Sequence, residues 1–180
     1  ESNLISYFKT KLRKEYTMEK FTPKGREITD WIGTKGITWC GPYSVATVSG
    51  KSYEQAYQTL RGIRGKRHCK GVSNSDIEMA CKKLGVKGKW TKLEKRTQLR
   101  KFLPTLEAGK VYIVQVTKHV LVLDARDMTT IDNQVPEWIA GETSKHTRKL
   151  VHAVFEVENP KFDPNSQDDW LILPLAAGAK

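Results

Sequence analysis

The spacing of the apolar residues changes near position 110, and this change restricts the fold more than any other feature of the chain. Before it, apolar residues recur at helical spacing in several segments, such as 52–60 and 77–84. After it, segments 111–116, 120–123 and 150–158 alternate or are rich in β-branched residues, as is typical of strands. Helices followed by antiparallel strands predict an α+β domain in which the helices pack on a sheet.

The chain has 180 residues, which is long enough for one domain and short for two. We expect a single domain over 1–180, beginning with an amphipathic helix that is followed by an irregular arm. A helical half then precedes a sheet half. The expected bounds are 1–20 for the amphipathic helix, 21–38 for the arm, 39–106 for the helical half and 110–180 for the sheet half.

Turn and cap residues predict where individual elements begin and end. Gly50 is expected to end the first helix of the helical half, and Ser52 is expected to cap the next one. Only residues 117–118 separate two strand segments, which predicts a tight antiparallel connection. We also expect a short strand at 86–90 and one helical turn at 135–139.

Cys40 lies where a Gly-rich segment meets the run Gly41-Pro42-Tyr43-Ser44-Val45-Ala46, which is predicted to be helical. Unpaired backbone N–H groups and the positive end of a helix dipole favour a thiolate at such a position. Gly41 is expected to leave room there for the backbone of a substrate. We therefore interpret Cys40 as a candidate nucleophile, and Cys69 and Cys81 as small buried hydrophobic residues.

His119 begins an apolar strand and is the candidate general base, because imidazole titrates near neutral pH. Asp132 follows it by thirteen residues, one antiparallel hairpin away, and can orient the ring from the adjacent strand. Asn133 is the alternative third residue. His152 is a rival for the base. Asp124 is a further candidate for the third position, although it lies on the same strand as His119.

The run from Cys40 to Tyr53, the segment Gly71-Val72-Ser73-Asn74 and a histidine at the start of a strand resemble the papain-like cysteine peptidases of the bacterial and phage type. The resemblance covers 39–133, about half of the chain. It implies a papain-like fold, in which the cysteine helix and further helices pack on an antiparallel sheet that carries the histidine. It also implies Cys40 as nucleophile, His119 as base and Asp132 as orienting group, with no cofactor.

One part of the family's pattern is absent from this chain. The family usually has a Gln or Asn several residues before the cysteine to complete the oxyanion hole, whereas segment 33–39 contains no amide side chain. Thr34, Thr38 and the backbone N–H of Gly41 are the candidates to replace it. Loss of one such donor typically lowers the rate by about 100- to 1,000-fold. Lys118 also stands where the family has a Gly before the histidine.

The net charge of +11 comes from one segment. Residues 61–101 contain 14 Lys and Arg against three Asp and Glu, and the rest of the chain is balanced. This segment is either a solvated face or a patch that binds an acidic partner, such as nucleic acid or an acidic protein. The candidate polyanion-binding residues are Arg64, Lys66, Arg67, Lys70, Lys82, Lys83, Lys87 and Lys89.

Three cysteines, an odd number, argue against a disulfide framework and favour a reducing, cytoplasmic compartment, or a virion or host cytoplasm for a viral protein. The apolar runs are too short to span a membrane, so no membrane partner is expected. His68, Cys69 and Cys81 lack a fourth ligand and a recognisable spacing. We therefore expect no metal.

These features support three classes of function. The first is a cysteine peptidase that hydrolyses a peptide or isopeptide bond of a peptide or protein substrate through an acyl-thioester on Cys40. The second is a catalytically weak papain-like scaffold that binds nucleic acid or belongs to a virion through segment 61–101. The third is an amidase or acyltransferase that uses the Cys40–His119 pair on another acyl donor.

Overall fold

The computed structural model describes residues 20–23, 38–65 and 68–161. Apart from Lys20, the amphipathic helix predicted at 1–20 lies outside the described residues, as does most of the arm predicted at 21–38. The described residues form helices that pack on one antiparallel sheet, so the predicted α+β class is confirmed.

Three helices lie in the first half of the described residues: α1 Cys40–Ser49, α2 Tyr53–Ile63 and α3 Asn74–Lys83. The expected caps are present. Gly50 ends α1 with a φ of 63°, a left-handed conformation that glycine adopts without strain. Ser52 caps α2, where its side chain accepts a hydrogen bond from the Gln55 N–H and the Gln55 side chain bonds back to the Ser52 N–H.

Six strands form a single sheet in the order β1-β6-β2-β3-β4-β5, and every neighbouring pair is antiparallel. The tight connection predicted at 117–118 joins β2 to β3. The strands are β1 Gly88–Gln98, β2 Val111–Val116, β3 His119–Asp124, β4 Thr129–Asp132, β5 Val135–Ala140 and β6 Leu150–Val157.

The central strands are buried on both faces, because alternate residues enter two separate clusters of apolar side chains. Ile113 and Val122 pack with residues of α1–α3 on one face. Tyr112 and Leu121 pack on the other face, which is covered by the short helix α4 Leu99–Phe102 and the 3₁₀ turn after it. β2 and β3 therefore read as nearly continuous apolar runs rather than as alternating strands.

One local prediction had the wrong bounds and another was wrong. The strand expected at 86–90 is present, but it runs from Gly88 to Gln98 and forms an edge of the sheet. The helical turn expected at 135–139 is strand β5, whose residues pair with β4. β1 pairs with β6, which is distant in the sequence, and β5 pairs with β4 across a turn. In both cases this pairing outweighs the weak secondary-structure preference of the local sequence.

No helix in the described ranges 20–23, 38–65 and 68–161 has the length and the apolar character needed to cross a membrane.

The topology brings together the ends of two strands that carry candidate site residues. β3 begins at His119 and β4 ends at Asp132, and the two strands run antiparallel, so both residues lie at the same end of the sheet. Helix α1 packs on β3 and β4, and its first residue is Cys40. The fold thus places a helix N-terminus beside one end of the sheet.

Candidate active site

Cys40 is the first residue of α1, and its side chain is partly exposed. The chain before it is held by the hydroxyl of Tyr53 on α2, which accepts hydrogen bonds from the backbone N–H groups of Thr38 at 3.3 Å and Trp39 at 3.0 Å. Trp39 is extended and makes no side-chain cap to the helix. The N-terminal end of α1 is therefore fixed from outside the helix, with the thiol beside it.

The pKa of the Cys40 thiol lies below its usual value. Burial raises it, but the neighbouring His119 side chain and the backbone N–H groups of Val120 and Gly41 lower it by more. His119 shows the complementary effect, since burial lowers its pKa while Asp132 and Cys40 raise it above the usual value. Each group thus favours the charged form of the other, which is the condition for a thiolate–imidazolium pair.

No hydrogen bond with ideal geometry joins Cys40 to a histidine among the described residues. His119 nevertheless lies close enough to lower the pKa of the thiol, first through a hydrogen-bonding contact and then through its charge. Its Nε2 atom lies 3.4 Å from Oδ2 of Asp132, which leaves Nδ1 as the ring nitrogen available to the thiol. Long or poorly aligned contacts are common between catalytic groups when no substrate is bound, and they shorten in the complex.

Asp132 is a buried carboxylate that is bound on both oxygens. Oδ1 accepts hydrogen bonds from the N–H groups of Gln134 at 2.6 Å and Val135 at 2.9 Å, which fixes the β4–β5 turn. Oδ2 faces the histidines. Although burial raises its pKa, the histidines and these N–H groups hold the pKa of Asp132 far below its ordinary range, so the group is ionised.

His146 is the residue of this cluster that sequence reasoning missed. Its Nε2 lies 2.8 Å from Oδ2 of Asp132, closer than that of His119, and its ring is tilted by 33° against the ring of His119, with centroids 4.3 Å apart. The residue lies in an irregular segment between β5 and β6, where its own N–H bonds to Ser144 and its carbonyl accepts from Lys149. This polar segment has no periodic pattern, so no local signal identified it.

The three candidates for an oxyanion donor differ in their positions and in their hydrogen-bond partners. Thr34 lies outside the described residues. Thr38 has its N–H directed to Tyr53 and its carbonyl bonded to Asn133. Gly41 is buried, and a Cβ added there would collide with Cγ2 of Val72. Val72 therefore fills the space that a side chain at position 41 would need, and the role of the Gly41 N–H toward a substrate stays a prediction.

The alternative site residues have other partners. Asn133 donates from Nδ2 to the Thr38 carbonyl at 3.0 Å. Asp124 is fully buried and forms ion pairs with Lys20 and Arg126, both at 2.8 Å, at the far end of β3 from His119. His152 lies 3.0 Å from the hydroxyl of Thr117. The described contacts join none of these three to Cys40.

Cys69 and Cys81 are buried, and they differ from Cys40 electrostatically. Burial raises the pKa of Cys69 to about 11 and that of Cys81 to about 12. The Cys69 thiol donates to the carbonyl of Tyr57 at 3.7 Å. Both therefore stay protonated at neutral pH, as expected of small hydrophobic side chains.

The basic segment lies on the outside of the sheet and helices. Arg64 is bound to Asp76 at 2.8 Å, so its charge is compensated. Lys66 and Arg67 lie outside the described residues. The exposed members of the predicted set are Lys70, Lys82, Lys83, Lys87 and Lys89. Because β1 is an edge strand, its lysines also discourage pairing with another chain.

Comparisons with family models, with curated proteins and with solved structures give no match for this chain. What the structure defines is an α+β protein in which N-terminal helices pack on a six-stranded antiparallel sheet. A fold of this class accommodates many activities, so the function has to be argued from the side chains of the site.

Proposed function

We propose that this chain is a papain-like cysteine hydrolase that cleaves a peptide or isopeptide bond. Cys40 is the nucleophile, His119 exchanges the proton, and Asp132 orients the imidazole ring. The observation that carries the proposal is the placement of Cys40 at the start of the helix that packs on β3 and β4, the strands whose adjacent ends hold His119 and Asp132. The pKa shifts of Cys40 and His119, each toward the charged form, agree with this placement. Cys69 and Cys81 have no comparable neighbour, and burial alone dominates their pKa values.

The proposed reaction has two stages. The Cys40 thiolate attacks the carbonyl carbon of the scissile bond, and the His119 imidazolium gives its proton to the departing amine. This leaves an acyl-thioester on Cys40. Water then attacks that thioester, with neutral His119 accepting its proton, and the carboxylic acid product leaves as the thiol reforms.

Asp132 supports both stages without exchanging a proton itself. Its pKa is held far below the ordinary range, so it remains an anion beside the ring that becomes positive. The carboxylate is fixed by the Gln134 and Val135 N–H groups, so it needs no reorganisation when the imidazolium forms. The same Cys40–His119 pair suits an amidase or an acyltransferase, in which another acyl donor or acceptor takes part.

A second function is supported by the exposed lysines of segment 61–101. Lys82 and Lys83 end helix α3, and Lys89 and Lys92 lie exposed on the neighbouring strand β1. The two elements are in contact. If these lysines act together, they would bind a polyanion such as nucleic acid through its phosphates, either beside the enzymatic activity or in a scaffold of a virion.

The hydrolase proposal is tested by the reactivity of the three thiols in the native protein. We expect iodoacetamide at pH 6 to label Cys40 far faster than Cys69 or Cys81, because the thiolate is the reactive form. Brief labelling followed by mass mapping of the peptides gives the three rates from one sample. Equal labelling of the three cysteines would remove the basis of the proposal.

A further inference from the structure

The three side chains at the end of the sheet are arranged as a ligand set. One nitrogen of His119, one nitrogen of His146 and one carboxylate oxygen of Asp132 all lie within 4.8 Å of one another. We propose that these residues bind a divalent first-row transition metal ion, Zn²⁺ being the ion that fits best. The site rests on the positions of its side chains and does not depend on the proposed hydrolysis.

The spacing of the three atoms is close to what tetrahedral zinc requires. Zn–N and Zn–O bonds of about 2.0–2.1 Å at tetrahedral angles separate neighbouring ligand atoms by about 3.3 Å. Oδ2 of Asp132 lies 3.4 Å from Nε2 of His119 and 2.8 Å from Nε2 of His146. Small side-chain adjustments therefore bring all three atoms to bonding distance.

Unsatisfied polar atoms around Asp132 give independent support. Among the described residues, Nε2 of His119 is buried without a hydrogen bond, and so is the hydroxyl of Tyr43. Such buried orphan atoms are uncommon in folded proteins and indicate a missing partner. A metal ion would use the lone pair of His119 Nε2.

The donor types select the ion. Two imidazoles and one carboxylate suit Zn²⁺ and its neighbours in the first transition row, whereas Mg²⁺ and Ca²⁺ prefer oxygen ligands. Three protein ligands leave one position open, as in zinc sites that keep a bound water.

The metal ion would oppose the proposed hydrolysis rather than assist it. Coordination through Nε2 holds the proton of neutral His119 on Nδ1, the nitrogen that the contact with Asp132 leaves for the thiol. That nitrogen then cannot accept the proton of the Cys40 thiol, so the thiolate–imidazolium pair does not form. The metal-bound form would therefore be blocked at the first stage.

The wild-type protein can be tested first. The chain has four histidines, and we expect Zn²⁺ to shift the imidazole NMR signals of two of them, with one ion bound per chain. Because the side chains of His119, Asp132 and His146 belong to residues only 7%, 4% and 2% exposed, each addition has to be equilibrated fully. Unchanged imidazole signals at saturating Zn²⁺ would overturn the proposal.

Variants then locate the ion. We expect His146→Ala to weaken Zn²⁺ binding by more than about 100-fold. Loss of a residue that only hydrogen-bonds to a metal ligand already lowers the metal affinity by about 10- to 100-fold. His152→Ala is the matched control, because His152 contacts Thr117 and lies outside the cluster. Cys40→Ser should leave the affinity within about threefold. Loss of binding in Cys40→Ser, or normal binding in a folded His146→Ala variant, would assign the ion to another site and reject the proposal.

Discussion

Asn133 donates a hydrogen bond of 3.0 Å from its side-chain amide to the carbonyl oxygen of Thr38. This bond ties the end of β4 to the segment that leads into Cys40. It separates two neighbouring residues that the sequence left as alternatives, because Asp132 faces the histidines while Asn133 faces the backbone. The two side chains together fix the segment before Cys40 and the end of β4 relative to one another.

The first prediction concerns the groups around the thiol. We expect His119→Ala to lower the rate of Cys40 labelling at pH 6 by about 100-fold, the lower end of what one acid–base group contributes. Asp132→Asn should lower it less, because Asn retains an acceptor for the turn N–H groups and removes only the charge. Labelling rates measured over pH 5–9 for each variant give the apparent pKa values.

The controls for this prediction are Asn133→Ala and His152→Ala. Asn133→Ala should lower the free energy of unfolding by about 1 kcal/mol, the value of an ordinary hydrogen bond. In this variant Cys40 should still be labelled faster than Cys69 and Cys81. His152→Ala should have no effect on that rate. If His152→Ala lowered the reactivity of Cys40 and His119→Ala did not, His152 and not His119 would be the general base.

Gly41→Ala is expected to destabilise the protein. Alanine gains about 1 kcal/mol in helix propensity, but its Cβ would collide with Val72, and overpacking of this kind costs about 1–3 kcal/mol. The double variant with Val72→Ala should recover the stability. Gly62→Ala in α2 is the control, because open space surrounds that position and only the favourable effect remains. Urea unfolding of the three variants and the wild type measures the differences, and equal effects at Gly41 and Gly62 would contradict the packing.

Asp124→Asn should lower stability by about 3 kcal/mol, because it leaves Lys20 and Arg126 beside a neutral, fully buried side chain. Asp127→Asn is the control. Asp127 also contacts Lys20, but it is 41% exposed and should cost less than about 1 kcal/mol.

The contribution of Asp124 also depends on pH. Its folded pKa is lowered, so the stabilisation is complete above the unfolded value of about 3.9 and is lost as the pH falls through the folded value. Thermal unfolding of the wild type and Asp124→Asn should therefore differ most at neutral pH and converge in strong acid. A difference that grew on acidification would reject this assignment.

The polyanion proposal predicts weak, salt-dependent binding of duplex DNA that is independent of Cys40. Trp90 packs on Phe155 with ring centroids 5.5 Å apart, so it is not available to stack on bases and single strands should bind no better. Lys89→Gln should reduce the salt slope by about one, whereas Arg148→Gln, an exposed change outside the segment, should not. Fluorescence anisotropy at low and physiological salt measures both. No binding at low salt would contradict the polyanion proposal. The lysines of β1 would then serve only to discourage pairing of this edge strand with another chain.

The sequence alone predicted those features that are encoded locally. The Ser52 cap, the helix end at Gly50 and the two-residue connection before His119 each depend on a few adjacent residues and were found as expected. The α+β class follows from the change in apolar spacing. The position of Cys40 at the start of a helix is local as well, and it explains part of why that thiol differs from the other two.

The tertiary structure decided which distant side chains meet. His146 is 27 positions after His119 in an irregular segment, and only the return of the chain into β6 brings the two rings to 4.3 Å. The full length of β1 and the strand identity of β5 likewise depend on pairing with other strands. Contacts between residues far apart in the chain leave no periodic trace in the sequence, because each partner is specified by burial and geometry that exist only in the folded protein.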